Sequence, residues 1–356
     1  MSRKWHSGWV DFFRTRLSSD SFIRPYAKQV VEDFRTLLRS GRSWREQAQK
    51  PFDILGIEPT NICNANCIFC AYQYQSRLRP GKGFMQHDLY EKALHDFAEM
   101  VGSKKSEHTI SFTPLVGEAL VDPNIIRKIT QAKKAGFQVM FFTNAIAFGR
   151  IDLEEFLKAK PDHVIISASP FNETSHNLLF RSHKYGRLLK GLNRLLVMRN
   201  ESQSPLTITI LFRANIPLRK IIVQPDFTEF IQPHLRPEEM QSLYVQMRSF
   251  DSWGGLIQQQ DLVDGMQLAR APILKHRPCL WTFGLLVLYD GTVRACLCRF
   301  AGREGSEQGD ALCVGDLREE SLSDIWQGDR LKKLRERFVA RDLPNVCRTC
   351  TMYRSV

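Results

Sequence analysis

The stretch Cys63-Asn64-Ala65-Asn66-Cys67-Ile68-Phe69-Cys70 decides the fold of this 356-residue chain. Its three cysteines have the spacing C-x3-C-x2-C, and they follow an apolar run at 52–58 that is predicted to form a first β-strand. Zinc sites usually combine paired C-x2-C clips into four ligands. A compact trio instead supplies three thiolates and leaves one iron of a cubane cluster open to a small molecule. The spacing therefore predicts a reactive iron–sulfur cluster, with a structural zinc site as the alternative.

The composition is that of a globular protein with a full core. Hydrophobic residues make up 43% of the chain, and no apolar run reaches the ~18 residues that span a bilayer. The first residues lack the apolar stretch of a signal peptide. We therefore expect a cytoplasmic protein with no membrane span. In that reducing compartment, nine cysteines that lie mostly in clipped pairs favour metal ligation over disulfides.

Basic residues outnumber acidic ones, and the net charge is +12. Such a charge can indicate an acidic partner such as a nucleic acid, a phosphorylated sugar or an acidic peptide. The basic residues are scattered, however, and no basic run alternates with aromatic residues as in a nucleic-acid platform. We therefore interpret the charge as a solvated basic surface and do not expect a nucleic-acid partner.

Strand-like and helix-like segments alternate along the middle of the chain. The predicted strands are 54–58, 109–113, 138–143, 163–169, 207–213 and 244–247, and the predicted helices are 89–101, 123–135, 153–158, 178–198 and 227–231. Six βα units in series predict an α/β fold with a parallel sheet and helical crossovers. Residues 1–50 are predicted to form an amphipathic helical prelude. After residue 255 the pattern changes to a hairpin around Asp290-Gly291 and a charged helix at 330–339.

A second cysteine pattern lies in this C-terminal part. It has the spacing Cys279-x11-Gly291-x4-Cys296 and ends with Cys347-x2-Cys350. Four cysteines from separate regions can close one cluster fully, and a closed cluster has no open iron for a small molecule. Four thiolates also suit tetrahedral zinc, which stays the alternative at this site.

Both cysteine patterns resemble those of the radical S-adenosylmethionine (SAM) enzymes. The trio resembles the cluster motif of that superfamily, and the C-terminal pattern resembles its SPASM and twitch extensions, over roughly residues 52–353. The resemblance implies a partial (β/α)6 barrel at 51–255, a helical extension at 1–50 and a small SPASM/twitch domain at 256–356. It also implies SAM and two 4Fe-4S clusters, one that binds SAM and one auxiliary.

The resemblance assigns roles to individual residues. The expected ligands of the SAM-cleaving cluster are Cys63, Cys67 and Cys70, and those of the auxiliary cluster are Cys279, Cys296, Cys347 and Cys350. Val116-Gly117-Glu118-Ala119 resembles the family's Gly-Gly-Glu-Pro segment, with Val and Ala in the outer places, and Thr143-Asn144 resembles its Thr-Asn-Gly. The expected SAM-binding residues are Phe69, Gly117, Glu118, Asn144, Ser167 and Arg181. Arg213, at the end of the fifth strand, is expected to point towards the substrate.

Two cysteines remain without a role in this scheme. Cys298 is two residues from Cys296, so it is a rival ligand, and Cys313 is left over. We therefore expect one auxiliary cluster. A spare thiol could donate a hydrogen atom to a substrate radical, as in radical SAM epimerases, but we expect these thiols to be buried and inert.

The resemblance implies an enzyme that cleaves SAM reductively to a 5′-deoxyadenosyl radical, with an electron donor such as flavodoxin or ferredoxin. The cysteine spacing resembles that of twitch-type aminocyclitol dehydrogenases, and this resemblance implies dehydrogenation of a sugar-like or cyclitol substrate. The alternatives are a SPASM-type maturase of a ribosomal peptide, which would crosslink or oxidise it, and an epimerase with a cysteine hydrogen donor. A non-catalytic protein that binds zinc and nucleic acid is the alternative from a different class.

Overall fold

The computed structural model of this chain describes residues 44–74, 76, 81–297 and 310–356. The nine strands in these residues form one sheet in the order β6-β5-β4-β3-β2-β1-β7-β8-β9. The strands are β1 (Ile54–Ile57), β2 (Thr109–Ser111), β3 (Gln138–Thr143), β4 (His163–Ala168), β5 (Thr207–Arg213), β6 (Tyr244–Gln246), β7 (Leu285–Val287), β8 (Thr292–Arg294) and β9 (Cys313–Asp316). The first six are parallel neighbours in chain order, which confirms the predicted α/β sheet.

Helices precede the first strand, connect the six parallel strands and follow the last strand. They are α1 (Trp44–Gln49), α2 (His87–Val101), α3 (Ile125–Lys134), α4 (Leu153–Lys158), α5 (Glu173–Phe180), α6 (Tyr185–Glu201), α7 (Leu218–Ile221), α8 (Pro225–Phe230), α9 (Pro237–Gln241), α10 (Leu322–Gln327), α11 (Asp329–Val339) and α12 (Asn345–Arg348). The main core lies between these helices and one face of the sheet, which buries alternate strand residues such as Leu55, Val139 and Val164. Residues one position further along, among them Met140, Ile165, Leu211 and Tyr244, form a separate apolar cluster. That cluster lies on the opposite face of the sheet.

The prediction of a single helix at 178–198 is wrong, because the structure has two helices there. Helix α5 ends at Phe180, and Arg181 takes a left-handed conformation with φ of 47°. The carbonyl oxygens of Leu179 and Phe180 accept hydrogen bonds from Ile68 N and Asn66 N, both at 3.0 Å. The last carbonyls of a helix have no partner within it, so the cysteine loop satisfies groups that a continuous helix would use itself.

The C-terminal strands extend the same sheet across the predicted domain boundary at 255/256. Strand β7 pairs in parallel with β1, and β8 and β9 follow in antiparallel order. The hairpin around Asp290-Gly291 is confirmed, whereas the third strand, β9, was not predicted. Gly315 in β9 packs against Ile325, since a Cβ at this position would lie 2.6 Å from that side chain. The boundaries of the three predicted domains stay a prediction.

The predicted N-terminal prelude lies largely outside the described residues. Its described end is helix α1, and the nearby Lys50 carbonyl accepts a hydrogen bond from Trp326 Nε1 at 3.0 Å. Across the part of the chain that the structure describes, none of the helices has the length and apolarity needed to cross a membrane.

Candidate active site

The cysteine loop begins directly after β1, at the carboxyl end of the parallel strands. Thr60 Oγ1 donates to the Gly83 carbonyl oxygen at 2.7 Å. Asn61 makes two bonds to the same neighbouring segment, from Nδ2 to Gly81 O and from Gly83 N to Oδ1, both at 3.0 Å. These bonds fix the start of the loop before its first cysteine, while its middle rests on the end of α5. The loop is therefore held at both sides.

The three thiols of this loop lie close together. Cys63, Cys67 and Cys70 are each half-buried, and Cys70 N donates to Cys67 O at 3.1 Å in a tight turn. Burial raises the pKa of the Cys67 thiol, and the neighbouring Cys70 and Cys63 thiolates raise this pKa further. The pKa of Cys63 is raised by burial, by Glu118 and by Cys70. Three neighbouring thiolates repel one another, and bound positive charge such as the iron of a cluster would relieve this repulsion.

Asn144, which follows β3, reaches this loop. Its side-chain amide Nδ2 lies 3.9 Å from Cys63 Sγ, a weak N–H···S contact, and donates to Asn64 Oδ1 at 2.7 Å. Its Oδ1 accepts from Ile146 N at 3.0 Å, which fixes the orientation of the amide. The structure thus places Asn144 beside the first cysteine, while its predicted contact with SAM stays a prediction.

Glu118 is buried and organises the end of β3. Its Oε1 accepts from Thr143 Oγ1 at 2.7 Å and from Leu120 N at 3.2 Å, and its Oε2 accepts from Asn144 N at 2.8 Å. Burial raises the pKa of Glu118 to about 6, although these three hydrogen bonds lower it. Its carboxylate therefore supports the Thr143-Asn144 turn. A contact to the SAM amino group, as expected from the resemblance, is untested.

Gly117 allows this segment to approach the start of the cysteine loop. It has φ of 141°, a conformation that side chains rarely adopt, and a Cβ there would lie 2.7 Å from Thr60 O. Glu118 N also donates to Ile62 O at 2.9 Å. A side chain at 117 would push the two segments apart, so glycine is required by the packing.

Arg213 reaches across from the end of β5 to the cysteine loop. Its Nε donates to Ser167 Oγ at 3.1 Å, and its guanidinium carbon lies 5.9 Å from the centroid of the Phe69 ring. Burial lowers the pKa of Arg213 to about 10, while the Cys67 and Cys70 thiolates oppose this shift. Phe69, Ser167 and Arg213 are therefore brought together. Arg181 is not part of this group, because it is exposed and donates to Gln73 Oε1 at 3.2 Å.

Residues 250–257, here called the cover segment, pack over the cysteine loop. Trp253 Nε1 donates to Phe69 O at 3.0 Å, and the Phe250 ring centroid lies 5.3 Å from that of Phe69. Leu256 is buried against Leu115 and other apolar residues. Sequence reasoning does not identify these residues, because they lie where the alternation of strands and helices ends and no local pattern indicates a contact with the cysteine loop.

The C-terminal cysteines come from three segments that the backbone ties together. Cys279 lies on a segment paired with the end of the chain, because Leu280 N donates to Arg354 O at 2.7 Å. The cover segment is joined to the same region, since Thr351 Oγ1 donates to Asp251 Oδ1 at 2.9 Å. One segment therefore contacts both cysteine regions.

Cys296 follows β8, where Arg294 is fully buried and forms an ion pair with Asp310. The Arg294 guanidinium also donates to the Cys296 carbonyl oxygen at 3.4 Å. The clip of Cys347 and Cys350 is a single turn, with Cys350 N donating to Cys347 O at 3.3 Å. These contacts fix the backbone on both sides of the site.

The four thiols are close enough to act on one another electrostatically. Burial raises the pKa of Cys347, and Cys296, Cys350 and Cys279 raise this pKa further as neighbouring thiolates. Burial also raises the pKa of Cys279, and the neighbouring Cys350 and Cys296 thiolates raise it further. Within the described ranges, no three His, Cys, Asp or Glu side chains form a ready site for a single metal ion. The convergence seen here is that of four thiols around a common region.

Cys313 stands apart from these four. Its thiol donates to Gly315 O at 3.7 Å, and its electrostatic neighbours are Asp310, Arg294 and Arg330. Cys298, the rival ligand, lies outside the described residues.

Two solved radical SAM structures show a similar fold. The crystal structure of BtrN in complex with AdoMet and 2-DOIA has a TM-score of 0.52 at 15% identity and covers 85% of this chain and 93% of BtrN. Streptococcus suis SuiB bound to its precursor peptide SuiA has a TM-score of 0.51 at 12% identity and covers 98% of this chain and 81% of SuiB. No curated protein matches the chain significantly.

Two family models match the sequence. The Radical SAM superfamily model matches residues 57–213, and the model of SPASM, an iron-sulfur cluster-binding domain, matches residues 279–351. The first domain implies a 4Fe-4S cluster and SAM, and the second implies auxiliary iron–sulfur binding. The donor sets fit these groups, since three half-exposed thiols lie in one loop and four buried thiols converge elsewhere. The chain therefore contains a radical SAM domain over residues 57–213 and a C-terminal SPASM domain over residues 279–351.

Proposed function

We propose that this protein is a radical SAM oxidoreductase that dehydrogenates a sugar-like or cyclitol substrate. The observation that carries the proposal is the meeting of the Cys63–Cys70 thiols, Asn144 and Arg213 at the carboxyl ends of the parallel strands, beneath the cover segment. In open parallel sheets and barrels, ligands bind at this end of the strands.

Cys63, Cys67 and Cys70 would hold the SAM-binding cluster. When bound, the cluster and SAM would supply a 5′-deoxyadenosyl radical able to take a hydrogen atom from a C–H bond of the substrate. The Asn144 amide points its N–H towards Cys63 Sγ and would orient that ligand. Thr143 and Glu118 fix Asn144 in turn, so three side chains set the position of the first ligand.

Arg213 would position the substrate. It is held by Ser167 and lies beside Phe69, so its remaining N–H donors have a fixed direction. A planar guanidinium with several donors suits a substrate rich in hydroxyl or anionic oxygens. Phe250, Trp253 and Leu256 would exclude water from this space. Exclusion of water is needed because a carbon radical reacts with whatever lies nearest.

Cys279, Cys296, Cys347 and Cys350 would hold the auxiliary cluster. Dehydrogenation requires the substrate radical to lose one more electron and a proton, which yields a ketone from a secondary alcohol. A cluster closed by four buried thiols has no open position for SAM and suits electron transfer. The first electron would come from a donor such as flavodoxin or ferredoxin, and we propose that the enzyme works in the cytoplasm.

The comparison structures support each of two substrate classes. BtrN was solved with AdoMet and 2-DOIA, which agrees with the small-molecule proposal. The second candidate is maturation of a ribosomal peptide, and it is favoured by SuiB, whose peptide-bound structure covers 98% of this chain. The cover segment over Phe69 favours the enclosed, smaller substrate.

An epimerase would need a thiol that faces the substrate radical. Among the described residues outside the two cysteine sites, Cys313 is the available thiol, and it lies on β9 with its S–H directed to Gly315 O. Oxidation is therefore preferred. A non-catalytic protein that binds zinc and nucleic acid finds no support in the family matches.

The test uses anaerobically reconstituted enzyme with SAM, a reductant and D2O, offered 2-DOIA, a panel of cyclitols and sugars, or short peptides. We expect substrate-dependent 5′-deoxyadenosine and a ketone product without solvent deuterium on carbon. Cys313→Ala and Cys298→Ala variants should keep turnover within a few-fold. Deuterium on carbon would instead indicate epimerisation, and turnover of peptides alone would favour the maturase.

A further inference from the structure

Lys275 is a buried lysine beside the C-terminal clip. The residue is 7% exposed, and its ammonium Nζ donates to three backbone carbonyl oxygens: Cys347 at 2.9 Å, Arg348 at 2.7 Å and Cys350 at 3.0 Å. Nζ also lies 5.8 Å from the centroid of the Tyr353 ring. An ammonium has three N–H donors. The positive charge is thus directed at the turn that carries two of the four cysteines.

This arrangement has a structural effect. The carbonyls of Cys347 and Arg348 lie at the end of the short helix α12, where carbonyl groups have no partner within the helix. Lys275 bonds both and reaches past the helix to Cys350, so it fixes the relative positions of the two cysteines. The burial of an ammonium is unfavourable unless hydrogen bonds and opposite charge compensate. Three carbonyls and an aromatic ring supply part of that compensation.

The arrangement also has an electrostatic effect. A cluster becomes more negative by one charge when it is reduced, and a nearby positive charge in a medium of low dielectric constant stabilises the more negative state. Hydrogen bonds, net charge and exposure are the features that set cluster potentials. A neutral side chain at 275 would leave the four buried thiolates without this charge.

We propose that Lys275 is a positioning residue for the auxiliary cluster: it fixes the Cys347-x2-Cys350 clip and raises the reduction potential of the cluster that the clip holds. The inference rests on the proposed assignment of Cys347 and Cys350 as ligands. A higher potential makes that cluster a better acceptor for the electron that leaves the substrate radical.

The experiment compares the reconstituted full-length enzyme with Lys275→Met, which keeps the length and removes the charge, and with Lys275→Arg, which keeps the charge. Lys128→Met is the matched control, because Lys128 is 1% exposed and donates to Met85 O at 3.0 Å and to Asp122, far along the chain from the clip. Iron content, thermal stability and the EPR-monitored midpoint potential are measured. The signal that changes on addition of SAM identifies the other cluster.

Lys275→Met is expected to shift the potential of the SAM-insensitive cluster to more negative values or to release that cluster, with a loss of about half the iron. Lys275→Arg should keep both iron content and potential near wild type, and Lys128→Met should lower thermal stability without moving the potential. Wild-type iron content and potential in Lys275→Met would overturn the inference, even if its thermal stability fell. Cys347→Ala tests the ligand assignment separately, since undiminished iron there would refute the assignment whatever Lys275→Met shows.

Discussion

The two cysteine regions differ in how they are built. Cys63, Cys67 and Cys70 lie within eight residues of one loop, and all three are half-buried. Cys279, Cys296, Cys347 and Cys350 come from three distant segments and are 5–8% exposed. A short loop can present three thiols and still leave one side open to a small molecule. Four buried thiols from separate segments would instead surround a bound cluster on all sides. The comparison indicates a reactive site and a protected site in one protein.

The largest expected effect on this difference between the two regions follows from removal of the first three cysteines. Replacing Cys63, Cys67 and Cys70 together with Ala is expected to remove about half of the iron and to abolish SAM cleavage, because we propose these three thiols as the protein ligands of the SAM-binding cluster. Iron analysis and chromatographic detection of 5′-deoxyadenosine check this. Cleavage at the wild-type rate in the triple variant would refute the assignment of the catalytic cluster.

Removing a ligand of the protected site should have a different effect. Cys347→Ala or Cys350→Ala is expected to stop product formation while 5′-deoxyadenosine remains measurable, since hydrogen abstraction needs only the first site. Cys313→Ala is the matched control, because that thiol stands apart from the four. Equal loss of SAM cleavage and product would contradict separate roles for the two regions.

The packing around the first loop can be tested at Gly117. Gly117→Ala would place a methyl group 2.7 Å from Thr60 O in a backbone conformation that alanine rarely adopts. Backbone strain of this kind costs about 1–3 kcal/mol. We expect a matching drop in the free energy of unfolding and weaker SAM binding, measured by denaturant titration and calorimetry. Gly186→Ala is the control, because a Cβ there meets nothing within 4 Å. Wild-type SAM affinity in Gly117→Ala would show that this contact does not position the loop.

The smallest expected effect concerns Glu118 and pH. Its pKa is raised from 4.5 to about 6 in the folded state, mainly by burial. The folded protein therefore binds this proton more tightly than the unfolded chain, and the associated stability is lost as pH rises through about 6. Linkage predicts a loss of about 1 kcal/mol between pH 5 and 7.5.

Glu118→Gln removes the titrating carboxyl group. The difference in the free energy of unfolding between wild type and this variant should therefore change by about 1 kcal/mol between pH 5 and 7.5. Urea unfolding at several pH values measures it. Glu107→Gln, on the surface, controls for the loss of one charge. A difference that stays constant with pH would show that Glu118 does not titrate in this range.

Much of the fold follows from local pattern. The six parallel strands are predicted because buried parallel strands are short apolar runs separated by amphipathic helices. The split between α5 and α6 was not predictable, since the apolar spacing continues through 178–198. It depends on the cysteine loop, which bonds the carbonyls of Leu179 and Phe180. A contact between residues more than 100 positions apart leaves no trace in local periodicity.

The sequence alone predicts the chemistry of the site, because the spacing of Cys63, Cys67 and Cys70 is short enough for one loop to bring the thiols together. It also identified Cys279, Cys296, Cys347 and Cys350 as a second set. The side chains that surround these two sets of cysteines depend on the tertiary structure. It placed Asn144 beside Cys63, Arg213 over Phe69 and Lys275 on the C-terminal clip, and it put Arg181 at the surface. The reason is physical: ligand spacing is a property of adjacent residues, whereas burial and charge around a ligand depend on segments that meet only when the sheet has formed.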